Sequence, residues 1–179
     1  MIAAMLRALA IALLFGLVST AAAAQTTYEL SGGYSMARDP RDDVTLPAGW
    51  TAGAGIGLTR TLSAVADVSA QYKTVPFADA SARLSVVTAM GGARAAARIG
   101  PLTEFAQVLA GVVRASGSAF GATSVDTSFA VQPGAGIDYP LRGAFALRAQ
   151  LDVRFIRSQT NATNAGYQVR FAAGVVYRR

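Results

Sequence analysis

The chain has 179 residues, a formal charge of +6, no His and no Cys. It is 53% hydrophobic, with a mean hydropathy of +0.37, yet has one Lys (Lys73) and two Glu (Glu29 and Glu104), where a water-facing surface draws on many of both. These values exclude a disulfide framework and remove the most common general base and metal ligand.

The first residues have the pattern of a cleavable signal peptide over residues 1–24. Arg7 is the positive charge, Ala8 to Val18 the apolar stretch, and Ala22-Ala23-Ala24 the small-residue cleavage signal before Gln25. No Cys follows, which excludes a lipoprotein. Gln25 to Arg179 then forms one domain, residues 25–179. It contains no apolar run near the roughly 20 residues of a membrane helix.

What it contains is alternation. Tyr28, Leu30, Gly32, Tyr34 and Met36 share one face of a first strand, Tyr28 to Met36. The charged, proline-broken stretch Ala37 to Ala48 reads as a loop. A second strand, Gly49 to Thr59, sets Trp50, Ala52, Ala54, Ile56 and Leu58 against Thr51, Gly53, Gly55 and Gly57. After a tight turn near Arg60, a third strand sets Leu62, Ala64, Ala66, Val68, Ala70 and Tyr72 against Ser63, Val65, Asp67, Ser69 and Gln71. Lys73 to Ser81, with Pro76, reads as a second loop.

The fourth strand, Ala82 to Arg98, carries a conflict. If Ala82, Leu84, Val86, Thr88 and Met90 face outward, the same parity puts Arg94 and Arg98 in lipid, at about 2–4 kcal/mol each near the midplane. A β-bulge at Gly91-Gly92 would flip the alternation and turn Arg94 inward. Gly100-Pro101-Leu102 is a short turn. The fifth strand, Glu104 to Arg114, sets Ala106, Val108, Ala110 and Val112 outward, with Gln107 and Gly111 inward. Ala115 to Thr127 reads as a Gly/Ser/Thr loop.

A sixth strand, Ser128 to Tyr139, sets Phe129, Val131, Pro133, Ala135, Ile137 and Tyr139 against Ala130, Gln132, Gly134, Gly136 and Asp138. Pro140 to Gly143 is a turn. The last two strands alternate most clearly. Phe145, Leu147, Ala149, Leu151, Val153 and Phe155 oppose Arg148, Gln150, Asp152 and Arg154. After the polar break Arg157 to Asn164, Tyr167, Val169, Phe171, Ala173, Val175 and Tyr177 oppose Gln168 and Arg170. Strands this long exceed the usual five to six or so residues of a globular strand and match the roughly 9–11 tilted residues that cross a bilayer.

Long polar connections follow the odd-numbered strands and short turns the even-numbered ones. That is the plan of an all-β, eight-stranded, antiparallel up-and-down transmembrane β-barrel in a Gram-negative outer membrane, with both termini periplasmic. Ten residues at about 3.3 Å, tilted about 40°, rise about 25 Å, the height of an apolar band. Trp50, Tyr72, Phe155 and Tyr167 are expected in one interfacial girdle and Tyr28, Tyr139, Phe145 and Tyr177 in the other.

The chain from Gln25 onward resembles the small eight-stranded outer-membrane barrels of the OmpA/OmpX-like porin superfamily. The residues that carry the likeness are Met90-Gly91-Gly92-Ala93-Arg94, Phe105 to Gly111, Gly134-Ala135-Gly136-Ile137-Asp138, Leu147 to Asp152, and Tyr167 to Tyr177. The resemblance implies a barrel in outer-membrane lipid that is assembled by the barrel-assembly machinery. That machinery reads a terminal aromatic residue; here the last aromatic is Tyr177, followed by Arg178 and Arg179.

The inward set is expected to be Asp67, Arg94, Gln107, Gln132, Asp138, Arg148, Gln150, Asp152, Arg154, Gln168 and Arg170. An eight-stranded barrel is just wide enough for side chains to fill, so these charges must pair. The expected function is non-enzymatic: a structural, envelope-integrity barrel, or a narrow pore with an anion preference. A surface-interaction barrel working through its outer loops is one alternative. A soluble, periplasmic, lipocalin-like barrel with an apolar cavity is another. Without His or Cys no Ser-His or Cys-His dyad can form, and no catalytic residue, metal or cofactor is expected. The arginines are scattered singly rather than clustered, which argues against nucleic acid. A monomer is expected.

Overall fold

The computed structural model describes residues 27–41, 43–77, 80–119, 122–157 and 165–179; the expected signal peptide lies outside the described residues. Every regular element among them is a strand: β1 (Tyr28–Asp39), β2 (Val44–Leu46), β3 (Ala48–Gly57), β4 (Leu62–Phe77), β5 (Ala80–Ile99), β6 (Leu102–Ala119), β7 (Ala122–Pro140), β8 (Phe145–Arg157) and β9 (Ala165–Arg178). Neighbours pair antiparallel in the order β2-β1-β3-β4-β5-β6-β7-β8-β9, and β1 also pairs with β9. The closing ladder runs from Glu29↔Arg178 to Arg38↔Val169. Eight long strands thus form a closed barrel.

The alternation of apolar and polar residues sets which face is buried. Along β8, Leu147, Leu151 and Phe155 are exposed, while Arg148, Asp152 and Arg154 are buried. The exterior is apolar from Tyr28 and Leu30 on β1 to Phe171 and Val175 on β9. A solvent-facing protein pays heavily for such a surface, whereas hydrocarbon accepts it.

Two sequence expectations fail on β5. No bulge occurs at Gly91-Gly92: the ladders run unbroken through Met90↔Asp67 to Ala93↔Ala64 on one side and Met90↔Gly111 to Ala93↔Val108 on the other. The expected outward face was also reversed. Val86, Thr88 and Met90 are buried inside and Val87 is exposed, so Arg94 points inward on the same parity. Apolar does not mean outward on this wall. Val86 and Met90 pack with Val65, Leu109 and Val113 in an interior apolar cluster, and the outward positions are mostly Ala and Gly.

The bulge is in the first hairpin. β1 pairs β3 up to Tyr34↔Trp50 and then pairs β2 from Ala37↔Leu46, so one extra residue sits around Pro47. The Pro47 carbonyl accepts from the Tyr34 hydroxyl. A Cβ on Gly49 would overlap backbone oxygens of Ala70 and Ser35, so the close chain crossing requires glycine there. The flip of parity turns Leu46 inward, where it is buried in the apolar cluster.

Three stretches read as loops are largely sheet. Ala37 to Ala48 contains the end of β1 and all of β2. Lys73 to Ser81 holds the ends of β4 and β5, which pair to Phe77↔Ala80. Ala115 to Thr127 holds the ends of β6 and β7, which pair to Ala119↔Ala122. Of the fourth expected loop, residues 158–164 lie outside the described residues. β4 to β7 therefore continue as a four-stranded wall past Tyr72 and Phe129. Ser and Thr extend readily and a hairpin already zipped can continue at little cost; Ser85 and Ser116 also hydrogen-bond across it at 2.7 Å.

The opposite end has tight turns. Ile99↔Leu102 encloses Gly100 and Pro101, and Gly100 has φ 60°, as a primed hairpin turn requires. Below, this is the turn end, and the other the ribbon end.

Candidate functional site

Among the described residues, the built constellation of polar groups is the barrel interior. Period-two geometry brings one side chain from each strand to each level, and closure makes residues far apart in sequence into neighbours.

Nearest the turn end, Glu29 on β1 accepts from Arg94 Nη1 at 2.5 Å, Arg148 Nη1 at 2.8 Å and Arg178 Nε at 3.0 Å. Arg148 forks onto Asp138, Nε to Oδ1 and Nη2 to Oδ2, both 2.8 Å. Arg178 Nη2 also reaches Asp138. The Arg94 and Arg148 guanidinium carbons stand 4.5 and 4.6 Å from the Phe105 ring centroid, a contact worth about 2 kcal/mol when desolvated.

At mid-height Asp152 is fully buried. It accepts from Arg170 Nε at 2.9 Å, Gln107 Nε2 at 3.2 Å and Gln150 Nε2 at 3.0 and 2.9 Å. Arg170 also reaches Asp67 Oδ1 at 2.8 Å, and Thr51 donates to Asp67 at 3.0 Å. Arg94 bridges the two levels by donating to Gln107 Oε1 through Nε at 3.0 Å and Nη2 at 2.9 Å.

Two inward glycines make this possible. A Cβ on Gly134 would overlap Asp152 Oδ1, and one on Gly136 would fall 2.5 Å from Phe105 Cζ. The glycines opposite these groups hold room for side chains.

Arg154, closer to the ribbon end, differs from the other interior arginines. It is wholly buried and among the described residues donates only to amides: Nε to Gln132 at 2.9 Å and Nη1 to Gln168 at 3.3 Å. Its Nη2 and the Gln132 Nε2 have no protein partner. Where Arg148 faces the two oxygens of Asp138, Arg154 faces one oxygen and one nitrogen of an amide.

Asp67, Arg94, Gln107, Gln132, Asp138, Arg148, Gln150, Asp152, Arg154, Gln168 and Arg170 all belong to these contacts. Glu29, Thr51, Phe105 and Arg178 belong to them as well and were not in the expected set. Glu29 and Arg178 stand on the inward parity of their strands, so the signal for both was in the alternation. Among the aromatics, Tyr28, Trp50, Tyr72, Tyr139, Phe145 and Phe155 are exposed on the outer face. Phe155 pairs across the ladder with Tyr167, and Phe145 with Tyr177, the last two rings 5.3 Å apart.

Three features fill the lumen: the ion-paired levels, the apolar cluster of Leu46, Val65, Val86, Met90, Leu109 and Val113, and the buried Gln71–Ser35 and Ser69–Thr88 pairs. The space left between Glu29, Asp67, Arg94, Gln107 and Arg148 is about 30 Å³, room for about one water. No cluster of potential metal-ligating side chains occurs among the described residues.

An apolar cylinder of eight antiparallel strands around charged, paired side chains is the architecture of a small outer-membrane β-barrel. It is the inverse of a lipocalin, whose cavity is apolar. Solved structures with this fold include Ail, the attachment invasion locus protein of Yersinia pestis, in complex with the heparin analogue sucrose octasulfate. It is 15% identical over 87% of this chain and 100% of that one, with a TM-score of 0.64. Neisserial surface protein A is 15% identical over 86% of this chain and 97% of that one, at 0.63. The N-terminal β-barrel domain of Pseudomonas aeruginosa OprF is 12% identical over 87% and 100%, at 0.54. At these identities the likeness is one of fold. No protein-family model and no curated protein sequence matches the chain.

Proposed function

We propose that the protein is a sealed, non-enzymatic barrel of a Gram-negative outer membrane, a rigid scaffold that carries a sheet wall on the cell surface. The turn end and both termini face the periplasm, as in the arrangement usual for such barrels. Arg83, Arg114 and Arg157 support this orientation. They stand on the outer face at the ribbon end, beside or just past Tyr72, Phe129 and Phe155, at the height of phosphate-bearing headgroups.

The observation that carries the reading is the filled lumen. A pore needs a continuous aqueous path, and this interior is closed by guanidinium–carboxylate pairs at two levels and by apolar side chains near the ribbon end. The experiment is conductance of the refolded protein in planar bilayers. A silent bilayer is expected from the wild type. Steady ohmic conductance from well-folded protein would return the narrow-pore reading.

A second reading concerns what the wall meets. On its outer face Tyr72, Thr74, Arg83, Ser85, Ser116 and Ser118 line a groove of about 480 Å³, a hydroxyl-rich surface with a cation suited to an acidic glycan. The similar barrel Ail was crystallised with a heparin analogue, which supports the same class of partner. Retention on immobilised heparin that weakens in Arg83→Gln is expected; equal retention of both forms would dismiss the groove.

A further inference from the structure

The turn-end mouth is filled on one side only. Where β7, β8 and β9 meet, Asp138, Ala146, Arg148 and Val176 are buried and close it. Where β3, β4, β5 and β6 meet, the inward residues include the small Gly55, Gly57, Ser63 and Ala96. They leave a vestibule of about 730 Å³ with Phe105 in its wall, a size typical of small-molecule sites at about 300–1,000 Å³.

Its charge is one-sided. Arg60, Arg94, Arg98 and Arg178 line it against one carboxylate, Glu29. Both Glu29 oxygens are already engaged, one by Arg94 and Arg148, the other by Arg178. Arg94 and Arg178 are held in that network, but Arg60 and Arg98, both exposed residues of the lining, make no ion pair among the described residues. Arg98 reaches it because it keeps the inward parity of Arg94. A concave pocket with an excess of one sign of charge focuses its field on the opposite sign, and guanidinium forks match the oxygens of phosphoryl groups.

We propose that this vestibule is a binding site for a small, multiply charged phosphoryl anion. Arg60 and Arg98 grip it at the rim, and the fixed positive excess of the Arg94–Arg178 network lies beneath. The compartment that supplies the anion rests on the orientation proposed above; the binding itself does not.

Inorganic pyrophosphate is the probe, titrated calorimetrically into the full barrel refolded in a zwitterionic detergent. Saturable binding is expected, weaker at higher salt and much weaker for acetate. The double variant Arg60→Gln/Arg98→Gln should weaken it at least about tenfold. Neither side chain makes an ion pair or a side-chain hydrogen bond among the described residues, so folding should be retained, which heat-modifiable gel mobility checks. The outer-face variant Arg114→Gln should bind as the wild type does. The proposal is overturned if no saturation occurs at millimolar pyrophosphate, if the double variant binds undiminished, or if acetate binds as well.

Discussion

Asp152→Asn removes a charge from the mid-height of the barrel while keeping the shape of the side chain. In the wild type its two oxygens receive Arg170, Gln107 and Gln150. After the change an NH2 group replaces one oxygen and faces donors from Gln150 or Arg170. Arg170, itself wholly buried, keeps only Asp67 as counter-charge. Removing one partner of a buried pair costs about 3–5 kcal/mol, and the surviving Asp67 contact argues for the lower end. A loss near 3 kcal/mol is about a hundredfold in the folding equilibrium. Equilibrium urea unfolding in liposomes, read by fluorescence of the single tryptophan, Trp50, measures it. The pair is isolated by the cycle with Arg170→Met, in which the double variant should recover about 1 kcal/mol or more relative to the sum of the singles. A loss below about 1 kcal/mol with additive singles would refute the ion network as a source of stability.

Other changes test neighbouring parts of the interior by the same assay. Gly134→Ala places a methyl group on Asp152 Oδ1 and should cost about 1–3 kcal/mol by overpacking; a neutral effect would show that the Asp152 carboxylate moves aside freely. Arg154→Met discards a buried cation that has no carboxylate hydrogen-bonded to it and should change stability by less than about 1 kcal/mol, unlike Arg170→Met, at about 3 or more. Equal losses in the two would mean that Arg154 is compensated as well as Arg170 is. Leu46→Ala, in the apolar cluster near the ribbon end, should cost about 2–5 kcal/mol; a loss under about 1 kcal/mol would place Leu46 outside the cooperative core.

The alternation in the sequence determined that the chain is extended and that its faces differ; the long loops expected over Lys73 to Ser81 and Ala115 to Thr127 are instead largely the ends of paired strands. Along β8 and β9 it also determined orientation, because one face holds Arg, Asp and Gln and the other Leu, Phe and Val, and only one assignment avoids charge in lipid. On β5 one parity holds both the apolar Val86 and Met90 and the charged Arg94 and Arg98, so the apolar and the charged residues argued for opposite orientations. Packing of Val86 and Met90 against Leu109 and Val113 decided it, and the expected bulge at Gly91-Gly92 answered a conflict that this packing removes. Pro47 and Gly49 gave no comparable signal in advance, since a bulge is recognised by the residue count on the partner strand. The pairing of charges was likewise beyond the sequence. Glu29 meets Arg94 and Arg148 only because β1 closes on β9 and the barrel is narrow enough for facing walls to touch. A linear pattern records which way each side chain points; which groups meet across the lumen depends on curvature and register, and these exist only once the ring has closed.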